Sequence, residues 1–517
     1  ISSMVEITDL PPEVLEIIFK LLDSPSIRFV SETCTKFSDV VANSENLTKK
    51  LTLHMSFPQD LQAFAEAIHR TNRRYRNLCI VRSRDIINDI QDPELSSRIF
   101  TTLGGMIKEL KIDWSNALRP REPSLFDIMA RRRSAAARRR GVNVDAVQDE
   151  GIAAPQQPAN LREDIYNEFV FILRHFVNIS SLFLFNVHLE RGRLPNEPHL
   201  MHQQLKELTV KLCDAHCFDL LSSCNRLEKI DVADPWWSKR MPGIDTFETF
   251  LVNQTELKHL HLKNFQYPRL FQADRTVNMD FRLKSLVLKN VYFADKEIAN
   301  NFFRTQSELE SIDFQLHNEK VRCLDEMQWY NNILRTILTN SNLKSINIAK
   351  LRYKIENCQF LSNILNHSVK KLIFKVTAED KSSDLFKMFI KMFPSLEVVS
   401  FSADESEEPD SGICFEDGSV LEKVNSLSIK NSSVRSLVNV YAGNLQTFKY
   451  VPGKTGEFID DLFGGFFHRH RNIKQLVIGS GSERSYFFVS YNLCQLIVSF
   501  LAHLESITIY NFGEDNK

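Results

Sequence analysis

Cys213, His216, Cys217 and Cys224 form the densest set of metal-ligating side chains in the chain. Thiolates and an imidazole can hold zinc, but the spacing is Cys-x3-Cys and no second pair follows at ligand distance. Cys213 also falls where a repeating core needs a side chain, so packing and ligation compete for it. His468, Arg469, His470 and Arg471 suit the negative end of a helix better than a metal ion. Gly479-Ser480-Gly481 follows a strand pattern, yet it lacks the third Gly and the Lys that make a phosphate cradle. With only 16 glycines in the chain, no other phosphate loop is in view. The Ser, His and Asp residues are scattered, and no nucleophile–base–acid set can be located among them. No catalytic residue, cofactor or metal site is expected; the chemistry on offer is binding.

One tract carries a strong local charge. Residues 131–140 read Arg-Arg-Arg-Ser-Ala-Ala-Ala-Arg-Arg-Arg, which could be a nuclear-import signal, a nucleic-acid contact or a solvated loop. The whole chain has a net charge of −1 and a pI near 7, so no global field recruits nucleic acid or an anionic membrane. Neither is expected as the main partner. Nine cysteines, an odd number, in a chain whose first residues lack the order of a signal peptide point to a reducing compartment, cytoplasmic and/or nuclear. Position 1 is not Met, and Met4 is a possible start. Ser485 to Leu504 has no formal charge but contains Ser490, Asn492, Gln495, Ser499 and His503. It is read as a buried helix near the end of an array rather than a bilayer span.

The elements that must position these residues follow from a repeated pattern, Leu-x-x-Leu-x-Leu. It appears at Ile179-x-x-Leu182-x-Leu184, Leu205-x-x-Leu208-x-Val210, Leu227-x-x-Ile230-x-Val232 and Leu257-x-x-Leu260-x-Leu262. It continues from Leu283, Leu309, Leu343, Val369, Leu396, Val424, Leu445, Ile473 and Leu504. From Ile179 to Leu504 the mean step is about 27 residues. Weaker copies begin at Leu51, Tyr75 and Ile107. The alternation predicts a short strand with one buried side. Helical segments lie between strands, as at Glu326 to Thr339 and Ser383 to Phe393.

One strand and one helix per repeat of this length resembles the leucine-rich-repeat family. The resemblance covers most of residues 47–517 and implies an α/β solenoid with a concave parallel sheet. The family's Asn or Cys, three residues after the last strand apolar, is clear only at Cys213. Val187, Phe265, Val291, Leu351 and Phe512 stand there in other repeats. The family's side-chain ladder is therefore not expected in regular form, and the 38 phenylalanines are expected to fill an irregular core. Residues 114–164 break the phase and read as a flexible, Arg-rich insertion.

In such a solenoid the strand residues flanking the apolar pair face the groove. One position gives Lys211, Ala233, Lys263, Lys289, Gln315, Ala349, Lys375, Ser402 and Lys430, a broken basic stripe. The central position gives Thr209, Asp231, His261, Val287, Asp313, Asn347 and Ile373. Lys211, Asp231, His261, Lys263, Lys289, Asp313 and Lys375 are the expected contacts, for an acidic or phosphorylated segment of a protein partner. A solvated sheet face is the plain alternative. Trp236-Trp237, followed by Lys239-Arg240, could anchor a partner or pack in the core.

The first residues differ from the repeats. Asp9-Leu10-Pro11-Pro12-Glu13 is a helix start, and Val14, Leu15, Ile17, Ile18, Phe19, Leu21 and Leu22 cover more than one face of the helix that follows. A second segment, Ser26 to Val41, carries Ile27, Val30, Cys34, Phe37 and Val41 at helical spacing. So much apolar surface on short helices predicts a partner. This pattern resembles the F-box, assigned here to residues 1–46. The resemblance implies a three-helix motif that binds the Skp-type adaptor of cullin–RING ubiquitin ligases. It makes Leu10, Pro11, Leu15, Ile18 and Leu22 adaptor-facing, puts Cys34 and Phe37 in the closing helix, and counts Phe37 among the adaptor contacts. The family commonly has Trp where Phe37 stands.

The resemblances together imply an F-box/leucine-rich-repeat substrate receptor of an SCF-type ligase, linked through its adaptor to cullin and RING subunits. It would be non-catalytic and act by proximity. A repeat scaffold or RNA-associated protein outside any ligase is the alternative.

Overall fold

The computed structural model describes residues 6–57, 61–70, 74–82, 93–115, 159–189, 203–235, 244–265, 279–291, 293, 296–315, 332–349, 363–376, 388–403, 419–432, 440–452, 460–479 and 491–510. The chain divides into two compact units, Ile1–Glu256 and Leu257–Lys517.

The first unit opens with a helical module. A 3-10 turn, Ile7–Asp9, is closed by reciprocal contacts of Glu6 and Asp9. Helix α1, Pro12–Lys20, starts on a proline whose missing N–H costs nothing there, with Glu13 in the first turn. Helix α2, Ser24–Thr33, is capped by the Asp23 carboxylate, which accepts the Ser26 N–H at 3.0 Å. Helix α3, Thr35–Asn43, is followed by a single turn, α4, Glu45–Thr48, capped by Ser44. Leu15, Phe19, Ile27, Phe37, Val40, Val41, Leu47 and Leu51 form the module's core. The rings of Phe19 and Phe37 meet edge to face at 5.2 Å. At about 1.5–3 kcal/mol for each large apolar side chain, this burial holds the short helices together.

Six parallel strands follow in chain order: β1 (Thr52–Phe57), β2 (Asn77–Arg82), β3 (Glu109–Asp113), β4 (Ser181–Phe185), β5 (Glu207–Lys211) and β6 (Lys229–Ala233). Helices Leu61–Arg70, Pro93–Gly104, Ala159–His175, His216–Leu220 and Ile244–Val252 lie between or after them. The register is in phase from repeat to repeat, Leu110 beside Leu182 beside Leu208 beside Ile230, so equivalent side chains stack in columns. From β2 to β6 the apolar pair of each repeat, such as Leu208 and Val210, is buried, and in β5 the residues between and beside them are half-buried on the other face.

The second unit repeats the plan with β7 (His259–Lys263), β8 (Ser285–Lys289), β9 (Ser311–Gln315), β10 (Ser345–Ala349), β11 (Lys371–Val376) and β12 (Val398–Ala403). A short pair, β13 (Ser419–Val420) with β15 (Val440–Tyr441), stands apart from the ladder. The ladder itself continues through β14 (Ser426–Ser432), β16 (Thr447–Pro452), β17 (Gln475–Ile478) and β18 (Ser506–Ile509). Each unit is thus an α/β repeat array with one parallel strand per repeat, and the first is preceded by the helical module.

Two backbone devices recur. At strand entrances, consecutive N–H groups share one carbonyl of the preceding repeat: Lys206 and Glu207 donate to Ser180, and Glu228 and Lys229 to Lys206. At strand exits, Asn186, Leu212, Asp234, Asn264 and Asn290 adopt positive φ between 50° and 59°. The N–H groups of Asn186, Leu212, Asn264 and Asn290 donate to the end of the next strand. The side-chain ladder doubted from the sequence is present in this register at one step, where Asn290 Nδ2 donates to Asn264 Oδ1 at 2.6 Å. It sits one position earlier than the family pattern predicts. Cys213 keeps the expected place: its sulfur accepts the Val187 N–H at 3.3 Å.

Most of the insertion read at 114–164 lies outside the described residues, but its two ends belong to the fold. Trp114 is buried, and by residue 164 the helix Ala159–His175 has begun. The uncharged stretch from Ser485 contains a helix of ten residues, Tyr491–Phe500, which buries Leu493 and Ile497 and exposes Tyr491 and Val498. It is less buried than expected. Among the described residues no helix is long and apolar enough to cross a membrane.

Candidate functional site

Helix α1 sorts its apolar residues into inward and outward sets. Leu15 and Phe19 are 0% and 2% exposed in the module core, whereas Val14, Ile17 and Leu21 are 39%, 62% and 85% exposed. The outward three follow helical spacing and form one stripe, with Ile7 and Phe29 also exposed. Leu10, Ile18 and Leu22 are half-buried against the core from outside, and Pro11 is exposed. Leu15 and Phe37 therefore have no surface to give a partner. They were expected among the adaptor contacts and instead hold the module together.

The module's lower edge is pinned to the helix by a carboxylate the sequence did not single out. Glu16 takes hydrogen bonds from the Lys20 ammonium at 2.9 Å and the Ser44 hydroxyl at 2.8 Å. These donors, Lys20 first, hold its carboxyl below the ordinary glutamate range. Lys50 reaches back to the Lys20 carbonyl at 2.7 Å and the Leu22 carbonyl at 3.1 Å, closing the C-terminal end of α1. The same segment is joined to the first repeats. Asn77 Nδ2 donates to the Lys49 carbonyl at 2.7 Å, Arg76 pairs with Glu45, and Tyr75 packs on the module core.

The open sheet faces carry the second set. Lys211 lies on the open face of β5, and Asp231 is on the neighbouring strand in register with Thr209. In the second unit His261 is in register with Val287 and Asp313, and Lys263 with Lys289 and Gln315. Lys289 is not a lone cation, because its Nζ lies 2.7 Å from the Asp313 carboxylate. The basic stripe expected from the sequence is reduced accordingly. Lys375 has its backbone in β11, but its side chain lies outside the described residues, as do Trp236 and Trp237. The sequence reading missed Phe183 and Phe185. They alternate with the buried Leu182 and Leu184, so they stand half-buried on the open face of β4. Their signal was present, since aromatic residues occupied the positions normally given to polar ones.

The buried cysteines and His470 are engaged in packing and hydrogen bonding. Cys213, Cys217 and Cys224 are all buried. The Cys217 thiol is pushed well above its usual range by its contact with Cys213 and by burial. Among the described residues no group of His, Cys, Asp and Glu is arranged to hold a metal ion. His470 ends its helix buried, with Nδ1 against the Phe466 carbonyl at 2.8 Å and Nε2 accepting the Ala442 N–H at 2.9 Å. Arg82 and Glu168 form a buried ion pair at 3.1 Å, with the guanidinium carbon 5.2 Å over the Trp114 ring. Burial pushes the Glu168 carboxyl up, and Arg82 opposes the shift.

Residues 7–49 match the F-box domain family, a span that takes in α1 to α4. No curated protein matches the chain. Among solved structures, the crystal structure of a TLR13–ssRNA13 complex aligns at 13% identity over 86% of this chain and 71% of its own, with a TM-score of 0.29.

Proposed function

We propose that this protein is the substrate-recognition subunit of an SCF-type ubiquitin ligase. The F-box domain at residues 7–49 would bind a Skp-type adaptor and through it the cullin and RING subunits. The repeat units would bind the protein to be ubiquitinated. The observation that carries the reading is the exposed apolar stripe of Val14, Ile17 and Leu21 on helix α1, outside the module's packed core. A stripe of that kind on a short helix is what an adaptor groove covers. The chain would contribute no catalytic group. It would raise the local concentration of a substrate lysine at the transferase, in the cytoplasm and/or nucleus.

The test is capture of a purified Skp-type adaptor by the full chain, wild type against Ile17→Asp/Leu21→Asp and against Leu10→Ala/Pro11→Ala. Tight capture by the wild type, lost in the outward-facing Asp pair with unchanged thermal stability, supports the reading. A folded wild-type chain that does not bind the adaptor overturns it.

A further inference from the structure

On the open face of the first unit one strand leaves two aromatic rings partly uncovered. Phe183 sits in register between Lys111 on β3 and Thr209 on β5, and Phe185 between Asp113 and Lys211. Both rings are half-buried, opposite in direction to Leu182 and Leu184, which are 0% and 1% exposed. A solvated sheet face has no use for two phenylalanines on one strand, since each leaves apolar area in water.

The charges around the rings are asymmetric. On the β3 side they cancel, because Lys111 Nζ pairs with the Asp113 carboxylate at 3.0 Å. On the β5 side Lys211 flanks Phe185 and enters no ion pair among the described residues. The patch therefore offers two ring surfaces and one uncompensated ammonium at their edge. Across the same open face Glu109, Asp113, Glu207 and Asp231 outnumber Lys111, Lys211 and Lys229. Such a face has no net positive charge to gather a polyanion, which disfavours nucleic acid stacked on the rings.

We infer that Phe183, Phe185 and Lys211 form a docking subsite for a polypeptide segment in which a large apolar side chain stands next to a carboxylate. The apolar side chain covers the rings and the carboxylate pairs with Lys211. This rests on the proposed role of the repeats in holding substrate, and it narrows that substrate to a segment with an aliphatic or aromatic residue beside Asp or Glu.

The probe is a fluorescein-labelled Gly/Ser peptide with a central Leu-Asp pair, read by fluorescence anisotropy on the full chain. Companion peptides carry Ala-Asp or Leu-Asn. The Leu-Asp peptide is expected to bind, with about ten-fold weaker binding for either companion. The same loss is expected when Lys211→Gln or Phe183→Thr/Phe185→Thr meets the Leu-Asp peptide. Arg335→Gln, an exposed change on a helix of the second unit, leaves binding as it was. Lys211→Gln keeps the test valid should the double Phe change disturb folding. Equal binding by all three peptides, undiminished binding by the variants, or no binding at all overturns the inference. So does an oligo-uridine that binds through the same residues more tightly than the peptide. Adaptor capture run on the same preparation separates the two readings: capture without peptide binding removes only this subsite.

Discussion

The Lys289 ammonium lies 2.7 Å from the Asp313 carboxylate, across two adjacent strands of the second unit. Both side chains are partly withdrawn from water, at 35% and 18% exposure, and the second Asp313 oxygen is buried without a hydrogen-bond partner. Truncating the lysine leaves a half-buried carboxylate alone. Lys289→Ala is expected to cost about 1 kcal/mol, and the double change with Asp313→Ala less than the sum of the singles. Urea unfolding of the four proteins checks this, and strict additivity would show that the pair is not coupled. A charge reversal at Lys289 would thus report on stability as well as on any acidic partner.

Leu15 and Ile17 are two residues apart on α1 and have opposite fates. Leu15→Ala is expected to destabilise the module by about 2–4 kcal/mol through the cavity it leaves. Ile17→Ala, at 62% exposure, should stay within about 0.5 kcal/mol of wild type. Thermal unfolding separates them. The adaptor reading adds that Ile17→Asp loses capture while keeping the fold.

Gly104 ends its helix against His175, the last residue of the helix Ala159–His175. A Cβ there would stand 2.0 Å from the His175 carbonyl oxygen. Backbone cannot give way as a side chain does, so Gly104→Ala is expected to cost about 3 kcal/mol. A melting temperature equal to wild type would mean the two segments are not so close. By contrast Gly105→Ala meets nothing within 4 Å and serves as the control.

His470 is neutral in the fold, since its Nε2 must accept the Ala442 N–H, and burial lowers its affinity for a proton. The unfolded chain protonates it near pH 6.5. Between that value and the lower folded one, the unfolded state binds the extra proton, so stability falls as pH falls below about 6.5. His470→Gln keeps one donor and one acceptor but cannot titrate. The difference in urea midpoint between wild type and variant should shrink or reverse from pH 7.5 to pH 5.5, and a constant difference would contradict the argument.

Leu212 occupies a strand exit at φ 55°, a place held by Asn or Asp in the four other repeats with this geometry among the described residues. A branched side chain there carries about 1 kcal/mol of strain. Leu212→Asn is expected to raise stability by about 0.5–1 kcal/mol, because its amide can hydrogen-bond the local backbone, while Leu212→Ala, which has no such group, should not. Denaturant midpoints of the three proteins decide it.

The strands were legible because alternation survives substitution: Leu208 and Val210, or Ile230 and Val232, announce a buried side whatever the chemistry of the loops. The sorting of α1 was not. Seven apolar residues in nine positions from Val14 to Leu22 leave no polar face to set the phase, so Leu15 and Ile17 looked alike. The exit asparagines were overlooked because Asn186, Asn264 and Asn290 act through backbone φ, one position from where the family pattern looks for a side chain. Ion pairing is likewise a matter of register between strands: Lys289 and Asp313 are far apart in sequence, and only the stacking of β8 on β9 brings them together. Phe183 and Phe185 were not singled out because the phenylalanines of the chain were read together as core filling.

The ties from Glu45, Lys49 and Lys50 to Arg76, Asn77 and the end of α1 bear on how such chains diversify. The module's core runs on through Leu47 and Leu51 to Tyr75. A recombination event that severed the chain at residue 46 would strip apolar side chains from both pieces. A boundary after β2 would keep these ties whole, at the cost of the β2–β3 ladder and of the Arg82–Glu168 pair. The helical module and the first two strands are therefore one packed piece, and change in later repeats can accumulate without disturbing the core that Leu47, Leu51 and Tyr75 share.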